Sequence, residues 1–221
     1  MSQHLQREIE NLKKKLLSLG AEVEDLVYKA TLSIENRDTD LANEIIYNDK
    51  SIDSFEVEVE EDCLKILALH QPVAIDLRFI VAVLKINNDL ERIGDLAVNI
   101  AERAVYLAKH DNVNISFDFI EMARKAQAML RQSLDALVNL NASMARQVCS
   151  KDDEIDEMNR QMYVMVQQAI EDYPSQMGSL IHLLSVSRHL ERIADHATNI
   201  AEDVIYMVEG AIVRHKTEEY S

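Results

Sequence analysis

A sequence repeat constrains this chain more than any other feature. Residues 87–106 align without a gap to residues 187–206, and eleven of the twenty positions are identical. The centre of the repeat is Leu90-Glu91-Arg92-Ile93-Gly94-Asp95 in the first copy and Leu190-Glu191-Arg192-Ile193-Ala194-Asp195 in the second. A repeat at a fixed spacing indicates an internal duplication, so the chain should fold as two copies of one unit.

The unit is predicted to be built from long helices. The 221 residues include only four Gly and two Pro, so there are few positions at which an element must end. Apolar residues recur at alternating steps of four and three, which is the spacing of a helix with one buried face. The clearest run is Phe79, Val83, Ile86, Leu90, Ile93, Ala97, Ile100, Ala104 and Leu107.

Turn-forming residues divide the chain into six helices. Polar residues 36–40 end the first helix, and Pro72 marks the corner between the second and third. Residues 110–114 separate the halves, and Pro174 marks the matching corner in the second half. Asp38 and Asn141 are predicted to cap the second and fifth helices.

The predicted fold is all-α, with two tandem antiparallel three-helix bundles related by internal duplication. The first bundle is predicted to comprise residues 1–112 and the second residues 113–221. Each helix should have roughly 30 residues and a length of ~45 Å. Gly94, which is Ala194 in the second copy, is expected to let two helices approach closely.

Charge and cysteine content limit the function. The formal net charge of −16 argues against nucleic-acid binding, which requires clustered Lys and Arg, and suits metal cations or a basic partner surface. Cys63 and Cys149 are far apart in helical patterns, which favours a reducing compartment. We find no apolar run of signal-peptide or transmembrane type, so we expect a soluble cytoplasmic protein.

Acidic residues four positions apart form four pairs, and such spacing places both carboxylates on one helix face. The pairs occur on the second, third, fifth and sixth predicted helices. They are Asp49 with Asp53, Glu91 with Asp95, Asp152 with Asp156, and Glu191 with Asp195.

The corner prolines predict which pairs lie level. In antiparallel neighbours, residues equidistant from the corner lie at the same height. Positions 53 and 91 average to 72, as do positions 49 and 95, and residue 72 is the corner proline. Positions 156 and 191 average to 173.5, as do positions 152 and 195, which places their centre beside Pro174.

Two grooves should therefore each hold four carboxylates, and such a cluster repels itself unless a cation neutralises it. Oxygen-only ligands suit Mg²⁺, Ca²⁺, Mn²⁺ or Fe³⁺. The sequence thus predicts two metal sites, one in each bundle. The alternative is a solvated acidic face that pairs with Arg and Lys.

Enzyme motifs are not found in the sequence. It has no phosphate-binding glycine loop, zinc-protease motif or nucleophile elbow. No His has Glu three positions before it, which disfavours a di-iron oxidase. His189 and His196 flank the second motif and are expected to be surface residues.

With these motifs in place, the chain resembles the PhoU family of phosphate-transport accessory and regulatory proteins over nearly its whole length. The matching segments are the duplicated Glu-Arg-Ile-x-Asp motif, residues 49–53, Gln71-Pro72 and Asp76-Leu77-Arg78. Gly94 becoming Ala194 is a mild departure that leaves Glu191 and Asp195 in place.

The resemblance implies that these motifs hold multinuclear metal clusters, with iron favoured and Mn, Mg, Ca or Zn as alternatives. It also implies a non-enzymatic adaptor, often a homodimer, that reaches the membrane only through its partners. Those partners would be the ATPase subunit of the phosphate importer and a membrane sensor histidine kinase. Through them the protein would repress phosphate uptake and phosphate-starvation genes. The alternative is a metal-storage or metal-dependent hydrolytic protein that uses the same carboxylates.

Overall fold

A computed structural model describes residues 3–48, 50–113 and 115–210. These ranges form helices and connecting segments with no β-strand, which confirms the all-α prediction. The helices are α1 (Gln3–Asn36), α2 (Thr39–Asn48), α3 (Lys50–His70), α4 (Ala74–Ala108), α5 (Phe119–Val138), α6 (Ala142–Cys149), α7 (Asp152–Asp172) and α8 (Met177–Glu209). A short 3₁₀ turn, Pro174–Gln176, leads into α8.

The helices form two three-membered units that follow the sequence repeat. In the first unit α1 and α4 pack together, with α2 and α3 in line as the third member. In the second, α5 and α8 pack together, with α6 and α7 as the third member. The units meet where α4 lies against α8 and α1 lies against α5. The division at residues 112 and 113 stays a prediction.

The second and fifth predicted helices each correspond to two described helices, α2 with α3 and α6 with α7, which corrects the expectation of six helices of about 30 residues. α6 ends at Cys149, where Ser150 N–H bonds the Arg146 carbonyl and Lys151 N–H bonds the Val148 carbonyl. α7 then begins at Asp152. Neither Ser nor Lys is a strong helix breaker, so the sequence did not mark this break. Asp152 consequently lies in a first helical turn, where a negative charge is favourable.

The two predicted caps are confirmed. Asp38 Oδ1 accepts hydrogen bonds from the N–H groups of Asp40 and Leu41, both at 3.0 Å, at the start of α2. Asn141 Oδ1 accepts one from Met144 N–H, also at 3.0 Å, at the start of α6. Side-chain caps of this kind stabilise a helix by about 1 kcal/mol each.

The core is a continuous set of apolar side chains along the inner faces of the helices. Leu90 and Ile93 in α4 have no exposed surface, and the same holds for Leu190 and Ile193 in α8. In each copy the Glu follows the core Leu and the Asp lies two positions after the core Ile, so the acidic residues lie at the edge of the buried face. The described helices include none with the length and apolar character that a bilayer crossing requires.

Candidate metal centres

Two cross-helix hydrogen bonds fix the grooves in which the acidic pairs lie. Asn87 Nδ2 in α4 donates to the Glu56 carbonyl in α3 at 2.8 Å. Ser187 Oγ in α8 donates to Asn159 Oδ1 in α7 at 2.6 Å. Positions 87 and 187 are equivalent in the repeat. This repeat position therefore donates a hydrogen bond across each groove, to a backbone carbonyl in the first half and to a side-chain oxygen in the second.

Small residues in α4 and α8 allow these helices to pack closely against α3 and α7 beside the acidic residues. A Cβ atom added at Gly94 would lie 3.2 Å from Cδ1 of Ile52 in α3, so the small residue permits the approach expected of it. In the second half, Ala194 and Ile155 are both fully buried. Neither helix pair can rotate its acidic residues far from the groove without disturbing this packing.

The second acidic cluster comprises Asp152, Asp156, Glu191 and Asp195, and the structure brings all four together. Burial raises the pKa of Asp152 to about 6, and the charges of Asp195 and Asp156 add to the shift. Burial also raises the pKa of Glu191, with further contributions from Asp195, Asp156 and Asp152. Although Asp195 is exposed, partial loss of hydration and the charge of Asp156 raise its pKa too. These carboxylates are mutually repulsive across the α7–α8 groove.

Two neighbours complete the surroundings of the second cluster. Thr198 Oγ1 donates a hydrogen bond of 3.3 Å to Asp152 Oδ1. Burial, with the charges of Glu202 and Asp152, raises the pKa of the nearby Cys149 thiol to about 11. The thiol is therefore protonated at neutral pH and a poor metal ligand, because the thiolate is the binding form. The donor set remains one of oxygen atoms.

The first acidic cluster comprises Asp53, Glu91 and Asp95, joined by Glu56 from α3. Burial raises the pKa of Glu91, and Asp95, Glu56 and Asp53 raise it further, while Arg92 opposes them. The structure therefore brings α3 and α4 acids together across this groove as well. Asp49, the fourth predicted member, lies outside the described residues.

Arg92 pairs within its own helix rather than with a neighbouring one. Its Nε lies 3.3 Å from Glu91 Oε2, and its Nη1 lies 3.3 Å from Asp95 Oδ2. Even so, Glu91 Oε2 is buried and receives no hydrogen bond. A buried carboxylate oxygen without a donor is unfavourable, and a cation would satisfy it.

The residues present fit a hard cation in chemistry. Their donors are carboxylate oxygens, as Mg²⁺, Mn²⁺, Ca²⁺ and Fe³⁺ prefer. However, the described part of the chain has no group of three or more His, Cys, Asp or Glu side chains already arranged to hold a metal ion. Binding would therefore require the carboxylates to turn toward a common point in the groove.

Sequence reasoning missed some neighbours of the clusters and misjudged others. Glu56 and Thr198 each lie three positions beyond a motif acid, a helical spacing that could have identified them.

The prediction that His189 and His196 are surface residues was wrong. Both are half-buried between α4 and α8, and His196 Nδ1 lies 2.8 Å from Asp89 Oδ1. The sequence did not show how the two bundles face each other.

Comparison with known proteins finds similarity over nearly the whole chain. A family model described as the PhoU domain matches residues 16–104 and again residues 119–204. The phosphate-specific transport system accessory protein PhoU homolog of Aquifex aeolicus is 38% identical over 214 residues, which cover 95% of each chain. The homolog of Pseudomonas aeruginosa is 36% identical over 217 residues, or 97% of this chain and 89% of its own.

Solved structures agree with the sequence comparison. The crystal structure of PhoU from Pseudomonas aeruginosa matches with a TM-score of 0.88 at 33% identity, covering 93% of this chain and 99% of that one. The phosphate transport system regulatory protein PhoU from Streptococcus pneumoniae matches with a TM-score of 0.84 at 29% identity. That match covers 95% of this chain and 99% of its counterpart.

Proposed function

The chain belongs to the PhoU family, and from that premise we propose that it is a cytoplasmic negative regulator of phosphate uptake and phosphate-starvation signalling. The main support for this proposal is that both halves of the chain match the family model. The relatives of the chain are also named as accessory proteins of phosphate-specific transport. Family membership supports the association with phosphate transport directly. That the protein represses phosphate uptake and starvation signalling, rather than activating them, is the part of the proposal that goes beyond family membership.

The proposed partners are the ATPase subunit of the phosphate importer and a membrane sensor histidine kinase. An adaptor of this kind needs binding surfaces rather than a catalytic centre, and we propose that the chain is not an enzyme. Its long helices offer extended faces, and the net charge of −16 suits partners with basic surfaces. The proposal includes a homodimer as the working form.

We further propose that the two acidic clusters bind metal ions, with iron favoured. The first site would use Asp49, Asp53, Glu91 and Asp95, and the second would use the four residues of the second acidic cluster. The support is the oxygen donor set, the raised pKa values of Glu91, Asp152, Glu191 and Asp195, and the buried Glu91 oxygen that receives no hydrogen bond. A bound cation would supply charge neutralisation and would stabilise each bundle.

The regulatory role is tested by deleting the gene and measuring transcripts of phosphate-starvation genes in phosphate-rich medium. The proposal predicts strong derepression, reversed by the wild-type gene. Complementation with Glu191→Gln/Asp195→Asn then asks whether repression needs the second cluster. The control, Glu171→Gln/Asp172→Asn, removes two exposed carboxylates at the end of α7. Unchanged transcripts in the deletion strain would contradict the regulatory role.

A phosphate-release assay distinguishes the adaptor from the second candidate function, a metal-dependent hydrolase. The same carboxylates could serve a metal-dependent hydrolase, and the raised pKa of Asp152 is the observation that favours it, because enzymes use such groups as acids or bases. Robust turnover with Mn²⁺ or iron, lost in Asp152→Asn, would support hydrolysis. An adaptor should show no turnover under these conditions.

A further inference from the structure

The two ends of the α4–α8 contact differ in how their charges are paired. The helices run antiparallel, so Lys85 near the start of α4 meets Asp203 near the end of α8. At the other end Tyr106 of α4 meets His182 of α8, with ring centroids 3.6 Å apart. The duplication makes these two ends equivalent in the repeat.

At the first end, each basic group has an acid. Lys85 Nζ lies 3.1 Å from Asp203 Oδ1, and His196 Nδ1 lies 2.8 Å from Asp89 Oδ1. The equivalents of these two acids in the other copy are not acidic. Arg103 occupies the position that matches Asp203, and His189 occupies the position that matches Asp89. The second end therefore has a guanidinium and an imidazole where the first end has two carboxylates.

Several nitrogen atoms at the second end are buried and lack a hydrogen-bond partner. They are Arg103 Nε, His182 Nδ1 and both ring nitrogens of His189. Folded proteins pair nearly all buried polar atoms, because leaving one unpaired is unfavourable. Arg103 acts electrostatically on both histidines, so the three side chains are neighbours. Arg103 Nε is a donor, and each neutral imidazole has one further N–H to donate, so a ligand that accepts hydrogen bonds would satisfy several of these atoms.

Among the described residues, the basic side chains at this end lack the close acid partners found at the first end. Burial lowers the pKa of His182, and the positive charge of Arg103 lowers it further, with a smaller contribution from His110. The charged groups that act on His189 are Arg103, Arg192 and Arg188. The carboxylate nearest to Arg103 is that of its chain neighbour Glu102, 3.9 Å away, on a side chain that is half exposed. The second end is thus a cationic region in an acidic protein.

The ring stack holds the second end in shape. Tyr106 stacks on His182 and also on His110, whose ring centroid is 4.0 Å away. Gly178 permits this approach, because a Cβ atom there would lie 2.9 Å from Tyr106 Oη. The side chains of Arg103, His182 and His189 are partly exposed, so the region borders solvent.

We propose that Arg103, His182 and His189 form a binding site for a small tetrahedral oxyanion, such as phosphate or sulfate, between α4 and α8. The guanidinium provides a fixed positive charge and planar donors, which match tetrahedral oxyanions well. A neutral imidazole has one N–H to donate, so neither histidine needs to be protonated. Such an anion would supply negative charge at this end, as Asp89 and Asp203 do at the first end.

Calorimetric titration of the full chain with inorganic phosphate, after removal of metal ions by a chelator, tests the site. Removing metal first excludes phosphate bound through a cation in the acidic clusters, so the outcome is independent of the proposed metal sites. Saturable binding of one phosphate per chain is expected. A parallel titration with sodium sulfate shows whether the site distinguishes the two anions.

Two variants locate the site. Arg103→Gln should weaken phosphate binding at least tenfold, because it removes the fixed charge. His182→Phe should weaken it several-fold while keeping the ring that stacks on Tyr106, so it also guards against a folding defect in the first variant. Arg124→Gln in α5, which removes an exposed arginine paired with Glu121, is the control and should bind as the wild type does.

Nuclear magnetic resonance gives a second readout, since phosphate should shift the ring resonances of His182 in the wild-type protein. Absence of saturable binding to both phosphate and sulfate would overturn the proposal and leave water as the partner of the buried nitrogens. Binding of equal strength in wild type, Arg103→Gln and His182→Phe would overturn it as well, because the anion would then lie elsewhere.

Discussion

The two acidic clusters share a motif but differ in how their charge is neutralised. In the first, Arg92 contacts both Glu91 and Asp95 at 3.3 Å. In the second, the described residues include no cation within ion-pair distance of any of the four acids, and Thr198 alone bonds to Asp152. Position 98, the equivalent of Thr198, is Val.

This difference indicates that duplication preserved the carboxylates while their surroundings diverged. In the second cluster three of the four carboxyl groups have raised pKa values, chiefly because they are buried and partly because they repel one another, while Arg188, Arg192 and His196 act in the opposite direction. In the first cluster the arginine offsets part of the repulsion. We therefore expect the second cluster to depend more strongly on a bound cation for its stability.

The largest effect is expected from substitutions in the hydrophobic core next to each cluster, and it tests whether the two halves of the core are equally stabilising. Leu90→Ala and Leu190→Ala each remove a side chain with no exposed surface. Each should lower the free energy of unfolding by about 3 kcal/mol, because a buried cavity remains. Urea denaturation of the metal-free protein measures both. A loss near zero in one variant and a full loss in the other would show that the cores differ.

The next effect concerns pH and the second cluster. In the metal-free protein, Asp152 has a folded-state pKa of about 6 against an ordinary value of 3.8, so the folded state holds this proton more tightly than the unfolded state. Its contribution to stability is therefore present at low pH and is lost as the pH rises from about 4 through 6.

Asp152→Asn removes that dependence. The variant should be more stable than the wild type by about 1–2 kcal/mol at pH 7, a value reduced for the partial exposure of the group, and nearly equal to it at pH 4. Thermal unfolding across this range provides the measurement, and Asp153→Asn, an exposed neighbour in α7, is the control. A variant with the wild-type pH profile would show that Asp152 does not have a raised pKa in the folded protein.

The smallest effect concerns the one motif position at which the copies differ. Ala194→Gly should lower stability by about 1 kcal/mol, because Gly is a poor helix former. Gly94→Ala should change stability by less than about 1 kcal/mol, because the gain in helix propensity is offset by contact with Ile52. Denaturation midpoints compare the two. A large loss in Gly94→Ala would show that the α3–α4 packing is tighter than that of α7–α8.

The sequence predicted the fold well because helix geometry is regular. Heptad spacing identified the buried faces, and the corner prolines predicted that Asp152 and Asp156 lie across a groove from Glu191 and Asp195, whose charges act on one another in the structure. The break at Ser150 and Lys151 was not predicted, because neither residue disfavours a helix strongly. The α4–α8 contacts, such as Asp89 with His196, were not predicted either. They depend on the packing of one bundle against the other, which no local pattern in the sequence records.

The central claim is that the acidic clusters are metal sites rather than ion-pair surfaces. Elemental analysis of three double variants, as purified and after loading with Mn²⁺ and dialysis, tests it most directly. They are Glu91→Gln/Asp95→Asn, Glu191→Gln/Asp195→Asn and the control Glu171→Gln/Asp172→Asn.

Each motif variant should lose the metal of its own bundle and retain that of the other, since the two sites share no ligand. Metal-free stability should not fall, because clustered like charge is removed, and metal should no longer protect the altered bundle against heat. The control should keep the full metal content. Unchanged metal content with a stability loss of several kcal/mol in the motif variants would instead show that the carboxylates are structural ion-pair partners.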